Sequence, residues 1–181
     1  MMKALLIVDL QRDFCPGGAL PAAKANHIVP VINNLMGKFE HVIASRDWHP
    51  EESVHFSVWP KHCIRHSEGA KFHPDLQVDQ IKQTFLKGTE GKDDGYSAFE
   101  ATNKNLNEYL GQNQIDQLFI TGLTTEYCVK ETALDAVRNN IDTYVIRDAV
   151  AAVNKEKGDE GKAFAEMEEK GVRLIFSTKI K

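Results

Sequence analysis

Short apolar runs alternate with amphipathic stretches along the whole chain, and this alternation restricts the fold more than any other feature. Runs such as Leu5–Val8 and Leu118–Thr121 carry almost no polar residue, which is typical of parallel strands covered on both faces. The predicted strands are Ala4–Val8, His41–Ser45, Gln83–Leu86, Gln117–Thr121, Thr143–Arg147 and Val172–Phe176. Strands separated by helices predict an α/β, three-layer αβα fold with an open, mostly parallel, Rossmann-like sheet of about six strands.

Helical patterns lie between these strands. The first covers residues 28–39, with Asn26 as its N-terminal cap and Pro30 tolerated only in the first turn. The others centre on 106–110, 129–137 and 163–167, and Gly171 is expected to end the last of them. No repeat, low-complexity tract or linker interrupts the pattern. We therefore expect residues 1–181 to form a single domain.

Composition excludes several classes of protein. Hydrophobic residues make up 42% of the chain and charged residues 27%, close to the average for soluble globular proteins. The net charge of -4, without a cluster of Lys or Arg, argues against a nucleic-acid partner. The first apolar run, Ala4–Val8, is too short for a signal peptide or a membrane span, so we expect no membrane partner and a cytoplasmic location. Cys15, Cys63 and Cys128 are then expected to be reduced thiols.

Polar residues with chemically useful side chains follow several of the predicted strands. Asp9, Asp47 and Lys87 each end a strand, and the turn from Gly122 to Cys128 ends another. Ligands of open α/β sheets bind beyond the carboxyl ends of the strands. We therefore expect these residues to meet in one crevice.

The turn that contains Cys128 has the features of a nucleophile site. We expect Cys128 in the first turn of the following helix, where backbone N–H groups and the helix dipole favour a thiolate and could hold an oxyanion. Asp9 leaves a buried strand, which should raise its pKa toward the range of a proton shuttle. The charge of Lys87 would keep both groups ionised. From these residues alone, a structural cysteine, a capping aspartate and a solvated surface lysine remain open as alternatives.

A histidine-rich segment from Arg46 to Leu76 interrupts the alternation, and a long irregular segment in a compact domain is usually functional or disordered. Asp47 and His49 are followed in this segment by His55 and His62. Imidazole and carboxylate donors at this density suit Zn²⁺, Fe²⁺ or Mn²⁺. Further histidines, His66 and His73, lie in the same segment, so abundance alone does not select the ligands or the ion.

Taken together, several segments resemble the nicotinamidase/pyrazinamidase branch of the isochorismatase-like hydrolases. The matching segments are VDLQRDFCPGGAL (8–20), RDWHPEESVHF (46–56), WPKHC (59–63), FLKG (85–88), GYSAF (95–99) and TGLTTEYCV (121–129). They follow one another in a consistent order over nearly the whole chain. The resemblance therefore does not depend on one short pattern.

The resemblance implies a metal-dependent cysteine amidohydrolase. Asp9, Lys87 and Cys128 would be its base, electrostatic support and nucleophile. One divalent ion is implied as cofactor, with Zn²⁺ expected first and Fe²⁺ or Mn²⁺ as alternatives. Its ligands would be Asp47, His49, His55 and His62.

The resemblance also implies a substrate pocket beside the nucleophile. Its lining would include Phe14, Trp59, Tyr96 and Tyr127. The Leu123–Thr124 peptide matches a bond that is cis in the family, which would direct the N–H groups of Thr124 and Cys128 at the oxyanion. The segment 88–95, rich in Gly, Asp and Lys, is expected to form a mobile rim that varies freely.

The implied reaction is hydrolysis of nicotinamide, and also of pyrazinamide, to the acid and ammonia through a thioester, as a step of NAD salvage. The implied partner is a small amide substrate, and assembly into a homo-oligomer is compatible with the sequence. A family member that acts on carbamoyl, ureido or biuret-like amides is the alternative, and it is disfavoured because such relatives lack the histidine segment. An isochorismatase is disfavoured because that enzyme works without a cysteine at the position of Cys128.

Proteins of other classes fit less well. A nucleotide-binding module would need a glycine motif after the first strand, and Gly17-Gly18 has the wrong spacing and setting. A non-catalytic metal-binding protein would leave Asp9, Lys87 and Cys128 unexplained at strand ends.

Overall fold

A computed structural model describes residues 1–181, and its core is one sheet of six strands. The strands are Met2–Val8 (β1), His41–Asp47 (β2), Gln83–Lys87 (β3), Ile115–Leu123 (β4), Asp142–Ala151 (β5) and Arg173–Ile175 (β6). All neighbours pair in parallel, in the order β3-β2-β1-β4-β5-β6. The predicted α/β class and parallel sheet are confirmed, and each predicted strand overlaps an observed one.

Four α-helices cover the two faces of the sheet: Ala25–Met36 (α1), Leu106–Gln112 (α2), Lys130–Arg138 (α3) and Asp159–Glu169 (α4). Helix α1 packs with Leu5 and Ile7 on one face, whereas α2, α3 and α4 pack with Leu6 and Val8 on the other. Successive side chains of a strand point to opposite faces. Strand β1 is therefore buried on both sides, which explains its unbroken apolar run and confirms the three layers. None of the helices has the length and apolar character needed to span a membrane.

Helix α1 differs from the sequence prediction at its start. It begins at Ala25, and no side chain caps its first turn. Asn26 lies inside the helix with its Oδ1 3.2 Å from His73 Nε2, so the prediction that it caps the helix was wrong. Pro30 lies in the helix interior, beyond the first turn. The cost of its missing N–H is offset by the apolar face of α1, which is buried in the core.

The sheet places its crevice at the carboxyl ends of β1 and β4. Chain connections leave these two neighbouring strands toward opposite edges of the sheet, which is the position where open α/β sheets bind ligands. Gly122, near the end of β4, has a φ of 104°, and a Cβ there would lie 2.0 Å from Val8 O. Only glycine permits this close approach. As a result, Asp9 and the turn that follows β4 lie side by side.

Candidate active site and metal centre

Lys87 lies at the centre of a buried cluster formed by four strand ends. Its Nζ is 2.7 Å from Asp9 Oδ2, 2.5 Å from Asp47 Oδ1 and 3.3 Å from Cys128 Sγ. The exposed fraction is 0% for Asp9 and Lys87, 3% for Asp47 and 7% for Cys128. The structure thus brings together the residues that the sequence placed at strand ends, although they are far apart in the chain.

The ammonium of Lys87 and the carboxylate of Asp9 have strongly perturbed acidities. Burial lowers the pKa of Lys87, but Asp47, Asp9 and Cys128 together hold that pKa well above its usual value, so Lys87 stays charged. Burial raises the pKa of Asp9 to about 6, against the lowering effect of Lys87. Ser45 Oγ also donates a hydrogen bond to Asp9 Oδ1 at 2.8 Å. Near neutral pH most of Asp9 is therefore ionised and able to accept a proton.

Cys128 lies in a wide turn of π-helical form rather than in the first turn of α3. In this turn, Thr125–Val129, the carbonyl of Thr124 accepts hydrogen bonds from the N–H groups of Tyr127 at 3.1 Å and Val129 at 3.2 Å. Burial raises the pKa of Cys128 well above its usual value and outweighs the opposing charge of Lys87. Burial therefore favours the protonated thiol. The expectation that Cys128 lies in the first turn of an α-helix was therefore wrong, and burial opposes the preference for a thiolate that this position was expected to give.

Three histidines face one another beside this cluster. His49, His55 and His62 are buried, and one ring nitrogen of each lies within 4.8 Å of the others. The Nδ1 atom of each ring has an oxygen partner. His49 Nδ1 lies 3.0 Å from Gly88 O, His55 Nδ1 lies 3.2 Å from Asp93 Oδ1, and His62 Nδ1 lies 2.7 Å from Pro60 O. The Nε2 atoms remain for an ion, and that of His49 is buried without a hydrogen-bond partner. Oxygen partners on the second ring nitrogen are typical of metal-ligating histidines.

Asp47 lies beside two of these histidines. Its Oδ2 lies 3.4 Å from His49 Nε2 and 3.7 Å from His62 Nε2. Burial raises the pKa of Asp47, but Lys87 and the neighbouring His49 and His62 hold that pKa well below its usual value, so the carboxylate is ionised. Imidazoles with fixed Nδ1 partners beside an anionic oxygen fit a divalent ion of the zinc type.

The two other histidines of the segment lie apart from this group. His66 packs its ring edge against Trp48, with 5.1 Å between ring centres. His73 is hydrogen bonded with Asn26. The geometry therefore separates the four candidate ligands from the remaining histidines, which abundance in the sequence could not do.

A pocket lies beside the cluster and is lined by Cys128 together with His55 and His62. The four aromatic residues expected to line it, Phe14, Trp59, Tyr96 and Tyr127, all do so. Trp59 Nε1 donates a hydrogen bond to Tyr96 Oη at 3.1 Å, and the rings of Trp59 and Tyr127 meet edge to face at 4.9 Å. Thr124 also lines the pocket, and the Leu123–Thr124 peptide is cis. An apolar lining with a few polar groups is typical of sites for small molecules.

Residues that the sequence did not single out support this site. The side chain of Gln11 donates to Asp47 O and accepts from Asp47 N–H, both at 2.8 Å, so it orients the backbone of a candidate ligand. Asp93 accepts from His55 and, at 3.3 Å, from Tyr96 Oη. Gln11 lies in the segment 8–20 that carries the family resemblance, two residues after Asp9, but neither signal indicates a contact with Asp47.

The segment 88–95, which was expected to form a mobile rim of the pocket, makes several contacts with the site. Gly95 O accepts a hydrogen bond from Lys87 Nζ at 2.7 Å. A Cβ on Gly88 would lie 2.5 Å from the ring of His49. Asp93, in the same segment, contacts His55. Residues at both ends of the segment and within it therefore contact candidate catalytic residues or candidate metal ligands.

Known proteins resemble this chain over nearly its full length. The model of the Isochorismatase domain family matches residues 3–178. The nicotinamidase of Escherichia coli (strain K12) is 38% identical over 199 residues, which is 95% of this chain and 93% of that protein. The crystal structure of a pyrazinamidase of Pyrococcus horikoshii in complex with zinc has a TM-score of 0.87 and 38% identity, covering 97% of this chain and 99% of that one. A protein from L. infantum in complex with nicotinate has a TM-score of 0.91 and 32% identity, and the match covers 98% of this chain and 93% of that protein.

Proposed function

The chain belongs to the isochorismatase family, and from this premise we propose that it hydrolyses nicotinamide to nicotinate and ammonia, with pyrazinamide as a second substrate. The observation that carries the proposal is the contact of Lys87 with both Asp9 and Cys128 Sγ in a cluster that opens into an apolar pocket. The nicotinamidase, zinc-bound pyrazinamidase and nicotinate-bound relatives support this substrate class. In a cell the reaction serves NAD salvage.

Catalysis begins with the protonated thiol of Cys128. Asp9 accepts the thiol proton while the sulfur attacks the carboxamide carbon, and the C=O double bond becomes an oxyanion. The N–H groups of Thr124 and Cys128 donate to this oxygen, and fixed donors of this kind stabilise charge that develops in the transition state. Because Asp9 is ionised near neutral pH, no thiolate is required before the substrate binds.

The second half of the reaction returns the enzyme to its starting state. Asp9 passes its proton to the departing nitrogen, the C–N bond breaks, and ammonia leaves a thioester on Cys128. Asp9 then removes a proton from a water molecule, which attacks the thioester carbon. The C–S bond breaks, the proton returns to sulfur, and the acid is released. The charge of Lys87 limits the rise in the pKa of Asp9 throughout.

The proposed metal centre comprises His49, His55, His62 and Asp47, and its donor set favours Zn²⁺ over Fe²⁺ or Mn²⁺. When bound, the ion supplies a coordination position for the ring nitrogen of a pyridine or pyrazine carboxamide. Phe14 and Trp59 contribute apolar surface for such a ring in the same pocket. The residues of this chain thereby orient the carboxamide toward Cys128.

Ammonia release across a panel of amides tests the proposal. The panel contains nicotinamide, pyrazinamide, biuret and ureido compounds, each with and without a chelator. We expect turnover of the two heteroaromatic amides, loss of turnover with chelator, and none with Cys128→Ala. Turnover of biuret or ureido compounds alone would favour the other family activity. Retained turnover in Cys128→Ala would contradict the assigned nucleophile.

A further inference from the structure

Glu126 is a buried carboxylate that the proposed reaction does not use. It lies two residues before Cys128 and is 6% exposed. Its Oε1 accepts the N–H of Asn154 at 2.7 Å, whereas its Oε2 is buried without a hydrogen-bond partner. Burial raises the pKa of Glu126, and backbone N–H groups of Glu126, Asn154 and Val153 lower it. Burying a carboxylate is unfavourable unless other contacts compensate, so its placement indicates a specific role.

Asn154 is part of a hydrogen-bond network that connects three segments. Its backbone adopts a φ of 52°, and its Oδ1 accepts the N–H of Glu160 at 3.1 Å. Thr125 Oγ1 donates to Glu160 Oε1 at 3.2 Å. The turn that carries the nucleophile is therefore tied both to the loop after β5 and to the first turn of α4.

This network acts on a wall of the substrate pocket. Val153 lines the pocket together with Tyr127 and Cys128. The N–H that Glu126 binds belongs to the peptide bond between Val153 and Asn154. A displacement of that peptide moves Val153 relative to Cys128.

We propose that Glu126 is a positioning residue. It fixes the position of Val153 in the pocket lining and so determines which substituents on the ring of a carboxamide substrate fit the pocket. The inference rests on the proposed amide hydrolysis and concerns the substrate specificity of that reaction. Glu126 contacts no reacting atom in the mechanism above and acts through the Val153–Asn154 peptide. The hydrogen bond from the Asn154 N–H to Glu126 is the tether that holds this peptide. Without the tether the pocket widens, so binding of the unsubstituted ring weakens more than binding of a ring with an added methyl group.

Three variants test the tether by steady-state kinetics with nicotinamide and 5-methylnicotinamide. Glu126→Asp shortens the side chain by one methylene group and removes its reach to Asn154, whereas Glu126→Gln keeps an acceptor oxygen. Glu156→Gln is the matched control, because it changes an exposed acid in the same loop. We expect the KM for nicotinamide to rise about tenfold in Glu126→Asp, as for the loss of a hydrogen bond to a charged group. We expect kcat within about twofold, a shift of specificity toward 5-methylnicotinamide, and values near wild type for the other two variants.

Other outcomes would overturn the inference. A carboxylate that only stabilises the fold would lower the melting temperature and the active fraction, leaving KM and the substrate ratio unchanged. If Glu126→Asp does not fold, Glu126→Met replaces it, since methionine has a similar length and removes the acceptor oxygen for the Asn154 N–H together with the buried carboxylate. An unchanged substrate ratio in that variant would also reject the tether. If the wild type releases no ammonia from nicotinamide, the proposed function fails separately, and the same ratio is measured on the amide it does hydrolyse and its methylated analogue.

Discussion

Lys87 Nζ lies 2.5 Å from Asp47 Oδ1, and this contact joins the proposed catalytic cluster to the proposed metal ligands. The other oxygen of Asp47 lies 3.4 Å from His49 Nε2. Both members of the Lys87–Asp47 pair are buried, so neither charge can be compensated by water if the other is removed. A change on one side of this contact is therefore expected to affect the other side as well.

Lys87→Met should abolish most activity and destabilise the protein. The substitution keeps the length of the side chain but leaves Asp9 and Asp47 without their shared cation. We expect the free energy of unfolding to fall by about 3–5 kcal/mol, which is typical of breaking a buried ion pair. We expect kcat/KM to fall at least about a hundredfold, since protonation of Asp9 removes the general base. Denaturant titration and ammonia release measure the two effects.

Lys92→Met is the matched control for this experiment. Lys92 forms an exposed ion pair with Glu90 at 2.7 Å. Exposed ion pairs are screened by water and contribute little to stability, so this variant should match the wild type closely. Equal losses in Lys87→Met and Lys92→Met would contradict the assigned role of the buried contact.

Asp93→Ala should weaken metal binding without removing a proposed ligand. Its carboxylate holds Nδ1 of His55 at 3.2 Å, and such partners orient the ring for coordination. We expect affinity for Zn²⁺ to fall about tenfold, at the low end for such partners because the side chain is half-exposed. Competition with a chromogenic chelator measures the change. Asp94→Ala is the control, and an equal loss there would indicate a general charge effect.

Much of the fold and the crevice followed from local sequence patterns. Strand β1 is apolar on both faces because helices cover both, so its run of apolar residues identifies a central strand. Once the strands are placed, the general rule for open α/β sheets brings Asp9, Asp47 and Lys87 to one edge. The resemblance to a family then selected His49, His55 and His62 among the histidines, a choice that spacing left open.

The remaining features depend on contacts between distant parts of the chain. Asp93 is separated from His55 by 38 positions, and nothing in its local sequence predicts that contact. The pKa of Cys128 depends on burial by distant parts of the chain, which a sequence pattern near a helix start does not report. Asn26 has the residue type of a cap but binds His73 instead, because a partner from another loop is within reach.

The activity is expected to fall in acid as Asp9 becomes protonated. Burial raises the pKa of Asp9 to about 6, so the fraction able to accept the thiol proton decreases below that pH. Burial, Lys87, Asp47 and Ser45 set this value, and Cys128 also faces the carboxylate. We expect kcat/KM to decrease with falling pH, with a midpoint at about 6. A profile that stays flat through this range would contradict the role of Asp9 as the base.

Protonation of Asp9 is not expected to unfold the protein, so unfolding would not explain the loss of activity in acid. The pKa of Asp9 is raised from 3.8 to about 6, so the folded state binds the proton more tightly. Its contribution to stability is fully present below 3.8 and is lost as the pH rises through about 6. Circular dichroism across the same pH range should therefore show a folded protein where activity falls. Metal content measured at each pH separates loss of the base from loss of the ion.

Iodoacetamide is expected to alkylate one cysteine, Cys128, and to do so more slowly than it alkylates free cysteine. Cys15 and Cys63 are buried outside the pocket, and burial raises the pKa of Cys15 to about 11 and that of Cys63 well above its usual value. Cys128 is accessible through the pocket, but its thiol is protonated and must transfer its proton to Asp9 before it reacts. Mass spectrometry should find a single label, which Cys128→Ala removes, nicotinate blocks and Asp9→Asn slows further. Labelling of Cys128 faster than free cysteine would show instead that the thiolate is already present at rest.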